Sequence, residues 1–149
     1  MLKPVPDPNP LATPYPPPIV GARPVLAVMS DLLFRSKIDE AARRSGLQLR
    51  AAKSIEQLDR HLGNGEPAVV FVDLEADSPE PTAAIDRIRQ LADGSAIRII
   101  GFAGHTNIAA IEAGRAAGAT VVLARSGLSS QLPTLLERVA EAERGRLSG

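Results

Sequence analysis

From residue 24 onward, apolar residues follow two alternating rhythms. Short unbroken apolar runs are separated by segments in which apolar residues recur every three or four positions. The first pattern marks buried strands and the second marks helices with one buried face. Val25-Leu26-Ala27-Val28-Met29 is bounded by Pro24 and Ser30-Asp31 and is too short for a buried helix, so it predicts strand one. Leu33, Ile38, Ala41 and Ala42 are spaced for a helix over 32–45, with Gly46 as its stop. Leu47-Gln48-Leu49-Arg50-Ala51 alternates and predicts a second strand. Ser54-Ile55-Glu56-Gln57 has the form of a capping box, so a helix begins there and runs to about Leu62. Ala68-Val69-Val70-Phe71-Val72, closed by Asp73, predicts the central strand. An amphipathic helix over 82–92 follows, with Ile85, Ile88 and Leu91 inward. Ile97-Arg98-Ile99-Ile100-Gly101-Phe102 predicts strand four, and an alanine-rich helix over 107–117 ends at Gly118. Thr120-Val121-Val122-Leu123 predicts strand five. Ser129 or Ser130 would cap the last helix, with Pro133 in its first turn and Leu132, Leu135, Leu136 and Val139 as its buried stripe.

Strand followed by helix, five times over, implies a parallel sheet covered on both faces. Right-handed crossovers at this chain length favour the strand order 2-1-3-4-5, a flavodoxin-like three-layer sandwich. Residues 1–23 stand apart. Nine of the 13 prolines lie in the first 24 residues, and proline excludes both helix and central strand. The reading is a proline-rich disordered leader over 1–23, a domain over 24–144 and a frayed tail over 145–149. The leader serves as a linker or as a ligand for a proline-binding groove, with Tyr15 in the run Tyr-Pro-Pro-Pro.

Composition narrows the function. The formal net charge is zero and aromatics are 3%, so neither a basic nucleic-acid footprint nor a base-stacking surface is expected. With no cysteine, disulfides and thiolate chemistry are excluded. No apolar run approaches the roughly 20 residues of a membrane span, and no secretory signal is visible. The expectation is a cytoplasmic protein without nucleic-acid or membrane partners.

In such a sheet, ligands collect beyond the carboxyl ends of the strands where the strand order reverses. The residues at that edge are Ser30 and Asp31 after strand one, and Asp73 and Glu75 after strand three. Ala103, Gly104, His105 and Thr106 follow strand four, and Arg125 and Ser126 follow strand five. No glycine-rich phosphate loop follows strand one. His61 and His105 lack zinc-ligand spacing, and no nucleophile elbow occurs.

Over residues 24 to about 142 these features resemble the receiver domain of two-component response regulators, the CheY-like family. The resemblance implies an acidic pair after strand one and an aspartate after strand three that hold Mg²⁺. The latter aspartate accepts a phosphoryl group from a histidine kinase. A Thr or Ser after strand four and a Lys-Pro pair after strand five bind the phosphoryl oxygens. On these positions Asp73 is the acceptor equivalent, and Asp31 is one of the acidic pair with Ser30 as its partner. Ala103 stands at the hydroxyl position, Arg125 at the lysine, Ser126 at the proline and Val122 at the switch aromatic. The strings Asp31-Leu32-Leu33-Phe34-Arg35-Ser36-Lys37, Gly101-Phe102-Ala103-Gly104-His105 and Ala124-Arg125-Ser126 also resemble a group of short stand-alone receiver-like proteins.

The departures carry consequences. Two carboxylates are few for a cation that prefers six oxygens. Alanine donates no hydrogen bond, and arginine is a planar fork where lysine is a compact donor. The expectation is therefore a stand-alone pseudo-receiver: not an enzyme, without a cofactor, acting through a protein partner. A homodimer through helix four, strand five and helix five is the accompanying candidate. Two alternatives stand beside it. One is an active phospho-receiver, with Asp73 as acceptor and Asp31 and Asp73 holding Mg²⁺. The other is a small-anion sensor using Asp31, His105, Arg125 and Ser126. For single residues, Asp73 and Arg125 form an ion pair or Arg125 and Ser126 hold an anion, and Asp31 caps the first helix.

Overall fold

The computed structural model describes residues 15–91 and 93–149. Its elements, in chain order, are β1 (Val25–Val28), α1 (Leu32–Arg44), β2 (Leu49–Ala52), α2 (Ile55–Gly63), β3 (Val69–Asp73), α3 (Pro81–Arg89), a short 3-10 turn (Gly94–Ala96), β4 (Ile99–Ala103), α4 (Ile108–Ala117), β5 (Val121–Ala124) and α5 (Arg125–Ser148). The sheet is parallel throughout, in the order β2-β1-β3-β4-β5. This is the expected flavodoxin-like sandwich.

The unbroken apolar runs have a direct cause. Side chains alternate across a strand, so a sheet covered on both faces needs apolar residues at every position. Val25, Ala27 and Met29, with Val69, Phe71, Ile100 and Phe102, meet α1 and α5 on one face. Leu26, Val28, Val70, Val72 and Ile99 meet Leu58 of α2 and Ala84, Ile85 and Ile88 of α3 on the other. Local signals start the helices. The Ser54 side chain accepts from the Gln57 N–H at 3.1 Å, and the Gln57 side chain accepts from the Lys53 N–H at 2.7 Å. Gly118 closes α4 at φ 116°, a left-handed conformation suited to glycine.

Several details differ from the expectation. In α1 the inward residue is Phe34, whereas Leu33 is 81% exposed, because Phe34 stands at helical spacing from the buried Ile38, Ala41 and Ala42 and Leu33 does not. In α3 the helix ends at Arg89, and Leu91 is exposed. α5 begins at Arg125, directly after β5, rather than at Ser129 or Ser130. Its buried stripe opens at Leu128 and runs through Leu132, Leu136, Val139 and Ala140 to Glu143, longer than the predicted stripe at both ends. Pro133 therefore lies inside the helix, on its exposed side.

The two chain ends also differ from expectation. Residues 1–14 of the expected leader lie outside the described residues. Residues 15–23 form no helix or strand, as proline dictates, yet they are held against the domain. The Tyr15 hydroxyl donates to Glu40, the Ile19 N–H donates to the Gly46 carbonyl at 2.9 Å, and Ile19 packs on the core. Arg23 reaches Glu143, and the Arg146 guanidinium donates to the Gly21 carbonyl at 2.9 Å. The tail expected to fray from 145 is helical to Ser148 and takes part in this contact. The proline pattern reported what the segment could not form and was silent on what it touches.

Candidate functional site

Every strand of the parallel sheet ends on one side, and four of the chain's connections meet there. β1 delivers Ser30 and Asp31. Asp31 is the N-cap of α1, its side chain accepting from the Phe34 N–H at 3.1 Å. β3 ends in Asp73, only 6% exposed. Two residues on, Glu75 turns back over the mouth, and its own N–H donates to Asp73 Oδ1 at 2.9 Å. β4 leads into the loop at Gly104, His105 and Thr106. β5 passes without a loop into α5, which places Arg125 over the centre of the mouth.

Arg125 connects these parts. Its Nη2 lies 3.1 Å from Asp73 Oδ1 and 3.3 Å from Glu75 Oε1, and its Nη1 lies 3.5 Å from Asp31 Oδ2. The guanidinium carbon lies 5.3 Å from the Phe34 ring centroid and 5.0 Å from that of Phe102. These rings stack with centroids 4.6 Å apart. Aromatic faces attract a cation and three carboxylates neutralise it, so the guanidinium is held from below and from the sides.

Glu75 binds more than Arg125. Its Oε1 accepts from the Gly104 N–H at 2.8 Å, and its Oε2 accepts from the Asn107 side-chain amide at 2.8 Å. The Asn107 amide and then the Gly104 N–H hold the Glu75 carboxyl below the ordinary carboxylate range against the opposing effect of burial, with Arg125 adding a smaller pull in the same direction. Glu75 stood among the edge residues by sequence but had no assigned role. A second acid two places after Asp73 was the available signal.

The remaining candidates are spread over the rim. Ser30, His105 and Ser126 are exposed. His105 and Ser126, with Phe34, Lys37, Gly104, Arg125 and Ser129, line an open groove of about 480 Å³ beside the guanidinium. Ala103 is fully buried, paired in register with Ala124, and carries no donor toward Asp73. Val122 is half-buried on the edge strand.

The fold family implies Mg²⁺ at this mouth, and the donor set does not fit it. The three carboxylates converge on a guanidinium and not on an open space. Asp73 Oδ1 already accepts from Arg125 and Glu75, Asp31 Oδ1 accepts from Phe34, and both Glu75 oxygens are engaged. Among the described residues, no group of three or more His, Asp or Glu side chains is placed to hold a metal ion.

No protein-family model and no curated protein matches the chain. Solved structures do. A putative response regulator from Chloroflexus aurantiacus is 21% identical, with a TM-score of 0.69, and the match covers 80% of this chain and 98% of that one. The chemotaxis response regulator CheY4 of Vibrio cholerae is 19% identical, with a TM-score of 0.67, covering 79% and 98%. The receiver domain of a sensor histidine kinase from Pseudomonas aeruginosa is 18% identical, with a TM-score of 0.68, covering 81% and 99%; that structure has magnesium coordinated in its active-site cleft. The likeness is one of fold, and the fold is that of a receiver domain.

Proposed function

We propose, from the receiver fold as premise, that this chain is a pseudo-receiver: a signalling module that works by binding a protein partner without phosphoryl transfer. The observation that carries the reading is the position of Arg125. A fixed cation already engages Asp31, Asp73 and Glu75, the acids that a divalent ion would need. Phosphoryl transfer depends on electrostatic compensation of the transferred group, which metal ions normally supply. A guanidinium locked on three carboxylates has little charge left for it, and Ala103 brings no hydroxyl.

The alternative of an active phospho-receiver requires Arg125 to leave the three acids and the two rings together. A small-anion site requires the same guanidinium to exchange three carboxylates for one ligand. Both oppose the charge arrangement at the mouth. The partner surface we assign is α4, β5 and α5, where Ile108 and Val121 are exposed apolar residues, and a second copy of the chain is the simplest partner. No helix among the described residues is long and apolar enough to cross a membrane.

The test is chemical. Incubation with Mg²⁺ and acetyl phosphate, followed by intact mass measurement, should return the unmodified mass. A stoichiometric phosphoryl adduct that disappears in Asp73→Asn would refute the proposal.

A further inference from the structure

Away from the mouth, helices α1 and α5 leave an open groove of about 590 Å³ between them, lined by Leu33, Lys37, Ala41, Arg44, Leu132 and Pro133. Its floor is apolar, since Ala41 is 6% and Leu132 2% exposed, and Leu33 stands beside it at 81%. Lys37 and Arg44 add aliphatic stems to the lining. Carbon surface open to water in this way marks a docking site for something apolar.

The chain itself arrives at this groove. The strap of residues 15–23 is fastened at Ile19, whose N–H donates to the Gly46 carbonyl, and at Tyr15, whose hydroxyl donates to Glu40. The Arg43 guanidinium carbon lies 5.8 Å from the Tyr15 ring centroid. Glu40 also lines the groove, so Tyr15 stands on its rim, and residues 1–14 join the chain at that point. A segment tethered beside a site meets it at an effective concentration in the millimolar range, so even weak contacts suffice to seat it.

The sequence of that segment suits the groove. Proline at 4, 6, 8, 10 and 14 favours polyproline II, which repeats every three residues. In that register Leu2, Val5, Pro8, Leu11 and Pro14 share one ridge, and they include every Leu and Val of residues 1–14. The other two ridges hold Lys3, Asp7, Asn9 and Thr13. The lengths agree as well. Leu11 lies four residues before Tyr15, about 12 Å of polyproline II. Leu33 lies seven residues before Glu40, about 10 Å of helix.

We propose that the α1–α5 groove is a docking site for this chain's own residues 2–14, with Leu11 as the anchor against Leu33 and Leu132. Docked in this way, the leader closes the α1–α5 face, and a protein that uses that face must first displace it. The docking is independent of the chemistry at Arg125.

The experiment is paramagnetic broadening of methyl signals in the full chain. The sequence has no cysteine, so Asn9→Cys gives a single attachment point for a nitroxide, on a ridge other than that of Leu11. The methyl signals of Leu33 and Leu132 should broaden strongly. Those of Leu49, in the groove on the other side of Tyr15, should broaden little. Leu11→Asp sets an unpaired charge against aliphatic carbon and should abolish this preference. Ala12→Asp adds the same charge on another ridge and should preserve it. Leu33→Asp, at an exposed position, should release the leader from the groove side. Broadening should survive dilution of the labelled chain into excess unlabelled protein. Its loss on dilution would mean exchange between copies and would overturn docking within one chain. Equal broadening at Leu49 and Leu132, or equal loss in Leu11→Asp and Ala12→Asp, would overturn it too.

Discussion

Two carboxylates are shielded at opposite ends of the sheet, Glu143 below the strand beginnings and Asp73 beyond the strand ends, and each is met by an arginine. Glu143 is 1% exposed and is saturated. The Arg23 backbone N–H reaches it at 2.7 Å, Arg23 Nη2 at 2.7 Å, and Arg146 Nη2 at 3.1 Å. Burial alone would raise its pKa, but the two arginines outweigh burial and hold it at about 2. With Glu66 at 3.7 Å from Arg23, two acids face two guanidiniums, and charge is balanced. At the mouth, three acids share one guanidinium, so negative charge is in excess. The lower pair is a clasp that closes the strap of residues 15–23 onto α5. The upper cluster has the charge of a cation site and a built-in cation to fill it. Similar chemistry serves fastening at one end, and at the other we propose that it excludes a cation.

The largest effect should come from opening the clasp. Arg23→Ala leaves a buried carboxylate with half its donors and should lower unfolding stability by about 3 kcal/mol in urea denaturation. Acid should act on the same group. A carboxyl whose folded pKa is depressed contributes stability fully above its unfolded value, and loses it as pH falls through the folded one. The contribution of Glu143 should thus persist down to about pH 4.5 and fade toward pH 2, and this loss should be missing in Glu143→Gln. A loss confined to higher pH would break the contrast between the two ends.

Removing the upper guanidinium should cost less, because Asp73 keeps the Glu75 N–H and lies nearer to water. Arg125→Met, which retains apolar bulk over Phe34 and Phe102, should lower stability by about 2 kcal/mol. A loss as large as that of Arg23→Ala would mean that Arg125 is a fastener as well. Next in size, Gly114→Ala drives a methyl into Leu74 beside Asp73 and should cost about 1.5 kcal/mol, part of it recovered in the double variant with Leu74→Ala. The smallest effect should come from Asp31→Asn. Asparagine still caps α1, and the exposed 3.5 Å contact with Arg125 is worth under about 0.5 kcal/mol, so the melting curve should hardly move.

The fold was legible because its rules are local. A strand buried on both faces must be apolar throughout, and a helix shows a stripe. The places where sequence misled were local rivals or distant pairs. Ser129 and Ser130 imitate a helix cap, while α5 starts at Arg125 behind Ala124, which offers no capping side chain. Leu33 and Phe34 are neighbours, and it is Phe34 that stands four, seven and eight residues before the buried Ile38, Ala41 and Ala42. Arg23 and Glu143 lie 120 residues apart, so no spacing announces them, and a proline-rich stretch disguises the attached strap. At the mouth, the identities were readable from the ends of the strands. The convergence of Asp31, Asp73 and Glu75 on one guanidinium was not, because it depends on β5 running into α5 without a loop.

The central claim is that Arg125 takes the place of a divalent cation, and a thermal titration with Mg²⁺ tests it most directly. The wild-type melting temperature should show no saturable response through millimolar Mg²⁺. Arg125→Ala should gain one that Asp73→Asn abolishes in the double variant. A saturable rise in wild type that Asp73→Asn removes would contradict the account.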